Sequence, residues 1–188
     1  MISKKDLNIL DGGREKEKGE LSAIDLLAID HERQLGICDV LLNSTKAMME
    51  EGNTALLTSI SCFFNDELPR HTQDEEGGLF PLLKSRCHRD AQALAVIERF
   101  QSEHKHDAEI VAHICAGLAA LENGDEVLEA EEFIVNMCVF AAIFRRHIEW
   151  ENLILLPMAR TKLLSEDLRI LQKKFIESRW TKTTKQSK

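Results

Sequence analysis

His147 and Glu151 stand four residues apart in the run Arg145-Arg146-His147-Ile148-Glu149-Trp150-Glu151, and His71 and Glu75 repeat that spacing in His71-Thr72-Gln73-Asp74-Glu75. Residues at i and i+4 of an α-helix share one face, a turn apart. Each pair therefore offers an imidazole nitrogen and a carboxylate oxygen side by side. The later pair lies in an apolar stripe read at steps of four and three: Phe133, Met137, Phe140, Phe144, His147, Glu151, Ile154, Met158. Such a stripe is the core-facing seam of a bundle helix. Burying two polar groups there is costly unless something pairs with them. A metal ion is the partner that suits both.

Two more histidines fall in comparable stripes. One seam runs Ile24, Ala28, His31, Leu35, Cys38, Leu42, Thr45, Met49, and another runs Ala93, Ile97, Phe100, His104, Asp107, Val111, Ile114, Leu118, Leu121. His106 lies about 200° round the helix from His104, so it and His113 are expected to face water. Whether Asp107 or His106 also ligates is left open by the spacing.

The elements that must hold these groups are helices. Few prolines and glycines with abundant Ala, Leu, Glu and Lys predict an all-α fold. The expected helices span about 21–51, 54–86, 91–122 and 127–163, with a shorter fifth over 165–180. Gly52-Asn53 and Asn123-Gly124 mark two stops, and Ser165 is the expected N-cap of the fifth. Pro69, Gly77-Gly78 and Pro81 should bend or loosen the second helix around its ligand pair. Short connectors predict an up-down-up-down antiparallel four-helix bundle over 20–164, followed by the C-terminal helix. Residues 1–19 read as a flexible N-terminal arm and 181–188 as a disordered tail. Counting turns from the helix ends puts His31, His71, His104 and His147 at one height. One histidine in an apolar stripe is ordinarily a satisfied core residue. Four at one level, with two inward glutamates, call for a shared partner.

The chain's 188 residues make about one domain, with 44% apolar residues and a net charge of −8. The helical part has no basic cluster, which argues against a nucleic-acid partner. No apolar run approaches the roughly 18 residues needed to cross a bilayer, and the N-terminus lacks a secretory apolar segment. The expected location is the cytoplasm, without membrane attachment. Five scattered cysteines (Cys38, Cys62, Cys87, Cys115, Cys138) read as small buried hydrophobes, a thiolate metal site being the alternative.

The donor set, His31, His71, Glu75, His104, His147 and Glu151, contains imidazole and carboxylate but no thiolate. Six ligands are too many for one four-coordinate zinc, and the nitrogen content disfavours calcium or magnesium. Two iron ions sharing carboxylates fit the count, with zinc or manganese as substitutes.

The sequence resembles the hemerythrin-like, or HHE cation-binding, family. The matching stretches are Asp30-His31-Glu32-Arg33, His71-Thr72-Gln73-Asp74-Glu75-Glu76 before Leu79-Phe80-Pro81, Glu103-His104, and His147-Ile148-Glu149-Trp150-Glu151 before Leu156-Pro157. The resemblance implies a non-haem di-iron centre with an oxo or hydroxo bridge. The two glutamates would bridge the irons, and the four histidines would be terminal ligands. Oxygen carriers of the family add a fifth histidine one turn beyond the third-helix ligand, where this chain has Ala108. That departure implies an open coordination position and favours interaction with dioxygen, nitric oxide or peroxide in a binding or sensing module over oxygen carriage. A di-iron enzyme reducing peroxide or nitric oxide, and non-catalytic iron handling, are the alternatives. A sensing role would need a protein partner that the sequence does not identify.

Overall fold

The computed structural model describes residues 21–51 and 53–180; the expected arm over 1–19 and the expected tail over 181–188 lie outside these. Among the described residues the chain is helical, with no strand. Helix α1 is Ala23–Glu51. Helix α2 covers 54–86 and is made of α-helical pieces Thr54–Cys62, Leu68–Asp74 and Phe80–Arg86, joined by π turns at Phe63–Glu67 and Glu75–Leu79. Helix α3 is Ala91–Asn123. Helix α4 covers 130–162, with a π turn at Glu151–Leu155 between Ala130–Trp150 and Leu156–Lys162. Helix α5 is Ser165–Trp180.

The helix ends follow local chemistry. Asn53 accepts a hydrogen bond from the Leu56 amide, and Asp90 accepts one from Ala93, so each satisfies an orphan donor of the helix it starts. Gly124 closes α3 in the left-handed region at φ 76°. Helix α4 begins later than expected because Glu129 also adopts a left-handed conformation, φ 57°. Ser165 is not the capping group of α5. Asp167 reaches back to the Leu164 amide at 2.8 Å while also pairing with Arg86, which ties the start of α5 to the end of α2.

Two apolar clusters fill the interior, and the histidines lie between them. One holds Cys38, Leu41, Phe63, Phe64, Ile114, Phe140 and Phe144 among others. Phe63, Phe64, Phe140 and Phe144 form its aromatic centre, with ring centroids 4.9–6.3 Å apart. The other holds Leu27, Leu79, Phe80, Leu83, Ile97, Phe100 and Leu155, and includes Leu171 and Phe175 of α5. Each fully buried Leu or Phe contributes about 1.5–3 kcal/mol, so the polar layer is held from both sides by strong packing. In α1 the buried row is Ile24, Leu27, His31, Gln34, Cys38, Leu41, Thr45, while Leu42 is exposed. The expected seam through Ala28, Leu35 and Leu42 is thus displaced by one residue at alternate steps.

Candidate metal centre

Glu75 and Glu151 each open a π turn, and each turn is followed by a proline. Pro81 and Pro157 have no N–H, and in a regular α-helix their rings would strike the carbonyls of Gly77 and Leu153, four residues earlier. The widened turns avoid this clash. The Phe80 amide donates to the Glu75 carbonyl, and the Leu156 amide to the Glu151 carbonyl, in i→i+5 bonds. The extra residue in each turn shifts the helical phase. Leu155 becomes buried where the plain helical count expected Ile154, which is 37% exposed. Glu75 and Leu79, and likewise Glu151 and Leu155, all face inward.

The structure brings the six sequence-predicted residues together. His31, His71, Glu75 and Glu151 form one group with donor atoms within 4.8 Å of one another, and Glu75, His104, His147 and Glu151 form a second. The two glutamates are common to both. His31 Nε2 lies 3.3 Å from Glu151 Oε2, and His71 Nε2 lies 3.6 Å from Glu75 Oε2 and 3.8 Å from Glu151 Oε2. On the other side, His104 Nε2 is 3.4 Å from Glu75 Oε2, and His147 Nε2 is 2.9 Å from Glu151 Oε1.

Three of the four imidazoles are oriented from behind by an oxygen acceptor on another helix. His31 Nδ1 meets Asn152 Oδ1 at 2.7 Å, His104 Nδ1 meets Glu76 Oε1 at 3.0 Å, and His147 Nδ1 meets Glu103 Oε2 at 2.9 Å. An oxygen acceptor requires Nδ1 to carry the hydrogen, so in the neutral ring Nε2 is a lone pair aimed at the centre. His104 Nε2 and His147 Nε2 then face each other at 3.1 Å. Two lone pairs at that distance repel unless a cation or proton lies near them. His31 Nε2, both nitrogens of His71 and all four carboxylate oxygens of Glu75 and Glu151 are buried without a hydrogen-bond partner. Buried polar groups are almost always partnered. This donor set fits a pair of cations.

Protons are the competing occupants. Burial acts to lower the pKa of His147, but the charge of the Glu151 carboxylate, 2.9 Å away, outweighs that and raises it to about 10. His71 and His104 are raised in the same way, burial being overcome by Glu75 and Glu151 for His71 and mainly by Glu75 for His104. Burial would raise Glu151, yet His147 and His71 hold it well below the usual carboxylate range.

Access is one-sided. The His104 side chain is 10% exposed, whereas those of His31, His71 and His147 are 0–2% exposed. His104 lies in the wall of a cavity of about 350 Å³ that also includes Asp107 and Ala108. Asp107 belongs to neither donor group, and burial raises its pKa. His106, His113 and His88 are exposed. The cysteines are free and outside both groups; Cys38 and Cys87 are buried, but against expectation Cys115 and Cys138 are half-buried and Cys62 is exposed.

Sequence reasoning missed Glu76, Glu103 and Asn152. Each is a direct neighbour of a predicted ligand (Glu75, His104 and Glu151), and that adjacency was the available signal. Arg99 stacks on Trp150, 4.2 Å from the ring centroid, and donates to Glu103, so it braces the carboxylate behind His147. A family model for the hemerythrin HHE cation-binding domain matches residues 22–159. No curated protein and no solved structure gives a match.

Proposed function

Because this chain belongs to the hemerythrin HHE cation-binding family, we propose that it holds two iron ions between its helices and uses them to bind a small oxygen- or nitrogen-containing ligand. His31, His71, Glu75 and Glu151 hold one ion; Glu75, His104, His147 and Glu151 hold the other. The observation that carries this reading is the convergence of buried, unpartnered donor atoms on two glutamates shared by both groups. When bound, the iron pair supplies Lewis acidity and one-electron chemistry towards dioxygen, nitric oxide or peroxide. The protein's own part is to fix the tautomers of His31, His104 and His147 and to bury the glutamates. It also leaves one wall open, at His104. The same reading carries the up-down-up-down arrangement. It is supported by ion pairs joining Asp25 near the start of α1 to Arg160 near the end of α4, and Asp39 further along α1 to Arg145. Binding or sensing is the preferred role, since the ligand set leaves a position free beside Ala108.

Metal analysis tests this directly. The purified protein should carry about two ions per chain. His71→Ala and His147→Ala should lower that content, while His88→Ala and His113→Ala should not. One ion per chain bound through cysteine would overturn the reading. The metal-free protein supplies a second check. The folded-state pKa of His147, about 10, exceeds its unfolded value of about 6.5. Its stabilising contribution is therefore complete below the unfolded value and is lost as pH rises through the folded one. Melting temperature should fall across that window without metal and hold steady with it.

A further inference from the structure

The chain's net charge is concentrated in one stretch. Residues 106–144 contain eight acidic side chains and no lysine or arginine, whereas the 24 lysines and arginines elsewhere are matched by 24 acidic residues. The whole net charge of −8 therefore sits on the later part of α3, the early part of α4 and the turn between them. Away from this stretch carboxylates find cations: Asp25 pairs with Arg160, Asp39 with Arg145 and Asp167 with Arg86. Among the described residues none of the eight forms an ion pair with a lysine or arginine. Glu129 even adopts a left-handed conformation, φ 57°, beside another carboxylate. Its hydrogen bond to Glu132, and then the like charge of that residue, hold its carboxyl above the usual range.

Two hollows of about 430 and 390 Å³ run along this stretch between α3 and α4, and they meet at His113, Glu132 and Asn136. Together they form a groove from His106 to Ala120 of α3, about 21 Å of helix. Six of the eight carboxylates line it, and so do Leu128, Val139 and Ile143. Leu128 is 90% exposed and Val139 42%. A second copy of this face, a nucleic acid or an anionic membrane would each set negative charge against negative. The occupant must bring cations for the carboxylates and an apolar stripe for the side chains between them.

We propose that this groove is the docking site for a basic amphipathic helix of a protein partner, about four turns long, whose apolar stripe lies on Leu128, Val139 and Ile143 while its lysines or arginines reach the carboxylates. The inference goes beyond the metal reading and does not depend on it.

Fluorescence anisotropy of a labelled peptide of about 14 residues, titrated with the full chain, tests it; leucines occupy one helical face of the peptide and lysines the rest. Binding should weaken with added salt, and a peptide of the same composition with its leucines scattered round the helix should bind at least about tenfold more weakly. Glu129→Lys with Glu132→Lys should weaken binding at least about tenfold. Glu98→Lys with Glu149→Lys makes the same change of net charge outside the groove and should weaken it less than about threefold. Leu128→Ser with Val139→Ser leaves every charge in place and should also cost at least about tenfold. All six positions are exposed, so these variants leave the core intact. Equal losses in the two charge-reversed pairs, equal binding of the scattered peptide, or binding undiminished by Leu128→Ser with Val139→Ser would each overturn the inference. So would a face that takes up calcium ions and no peptide.

Discussion

The segments 71–81 and 147–157 are built to one plan, His-x-x-x-Glu, a π turn and a proline, yet their surroundings differ. After Glu75 the turn continues Glu76-Gly77-Gly78, and α5 lies directly on it. A methyl group at Gly78 would sit 2.9 Å from Leu171 Cδ1 and 3.5 Å from Phe175 Cε1, so the buried Leu171 side chain would have to shift to admit it. The Gly77 carbonyl, released from α-helical bonding by Pro81, accepts from Lys174 Nζ at 2.6 Å. Ser178 Oγ donates to Asp74 Oδ1 at 2.7 Å. After Glu151 the turn continues Asn152-Leu153-Ile154, and it faces outward, with Leu153 74% exposed. Its own Asn152 instead turns in to orient His31. The same backbone device thus serves two ends. One turn is clamped by a neighbouring helix, and the other lends a side chain to the centre.

The strongest way to break this comparison is at the two glutamates, which it treats as equal. Glu75→Ala and Glu151→Ala should each weaken binding of both metals by more than the ~10–100-fold expected for a supporting residue such as Asn152. His31→Ala should mainly affect one. Metal titrations of the variants followed by elemental analysis distinguish these outcomes, and a Glu75→Ala protein that keeps both ions would end the claim of shared ligands. Next in size is the glycine asymmetry. Gly78→Val should destabilise the chain by about 1–3 kcal/mol through overpacking against α5. Leu153→Ser, on the uncovered turn, should stay within about 0.5 kcal/mol of the parent in thermal melts. Smallest is Lys174→Ala, which removes one exposed hydrogen bond worth roughly 0.5–1.5 kcal/mol. Its clearest sign should be faster amide hydrogen exchange at 75–79, with 151–155 unaffected.

Much of this was legible in the sequence because helical periodicity is regular. The bounds of α1, α2 and α3 emerged within two residues, and the six residues that the structure brings together were singled out from the His-x-x-x-Glu spacing and from four-and-three steps along each helix. The steps failed where the backbone departs from 3.6 residues per turn. Ile154 was placed inside on a plain count, and the π turn moved Leu155 there instead. Pro157 was the local hint, since a proline within a helix requires some such adjustment. Glu76, Glu103 and Asn152 were missed for another reason. Each bonds across to a histidine on a different helix, a contact fixed by helix placement and not by periodicity.

Trp150, immediately before Glu151 and under the Arg99 guanidinium, makes the centre visible to light. The chain contains two tryptophans and no tyrosine, so its ultraviolet-excited emission comes from two indoles alone. Arg99 also holds Glu103, and Glu103 holds His147. Any change of occupant that shifts the His147 ring is relayed by this short chain to the cation lying over the indole. Quenching or a wavelength shift in Trp150 emission, with Trp150→Phe as the control, should report filling of the centre in the unlabelled protein and in real time.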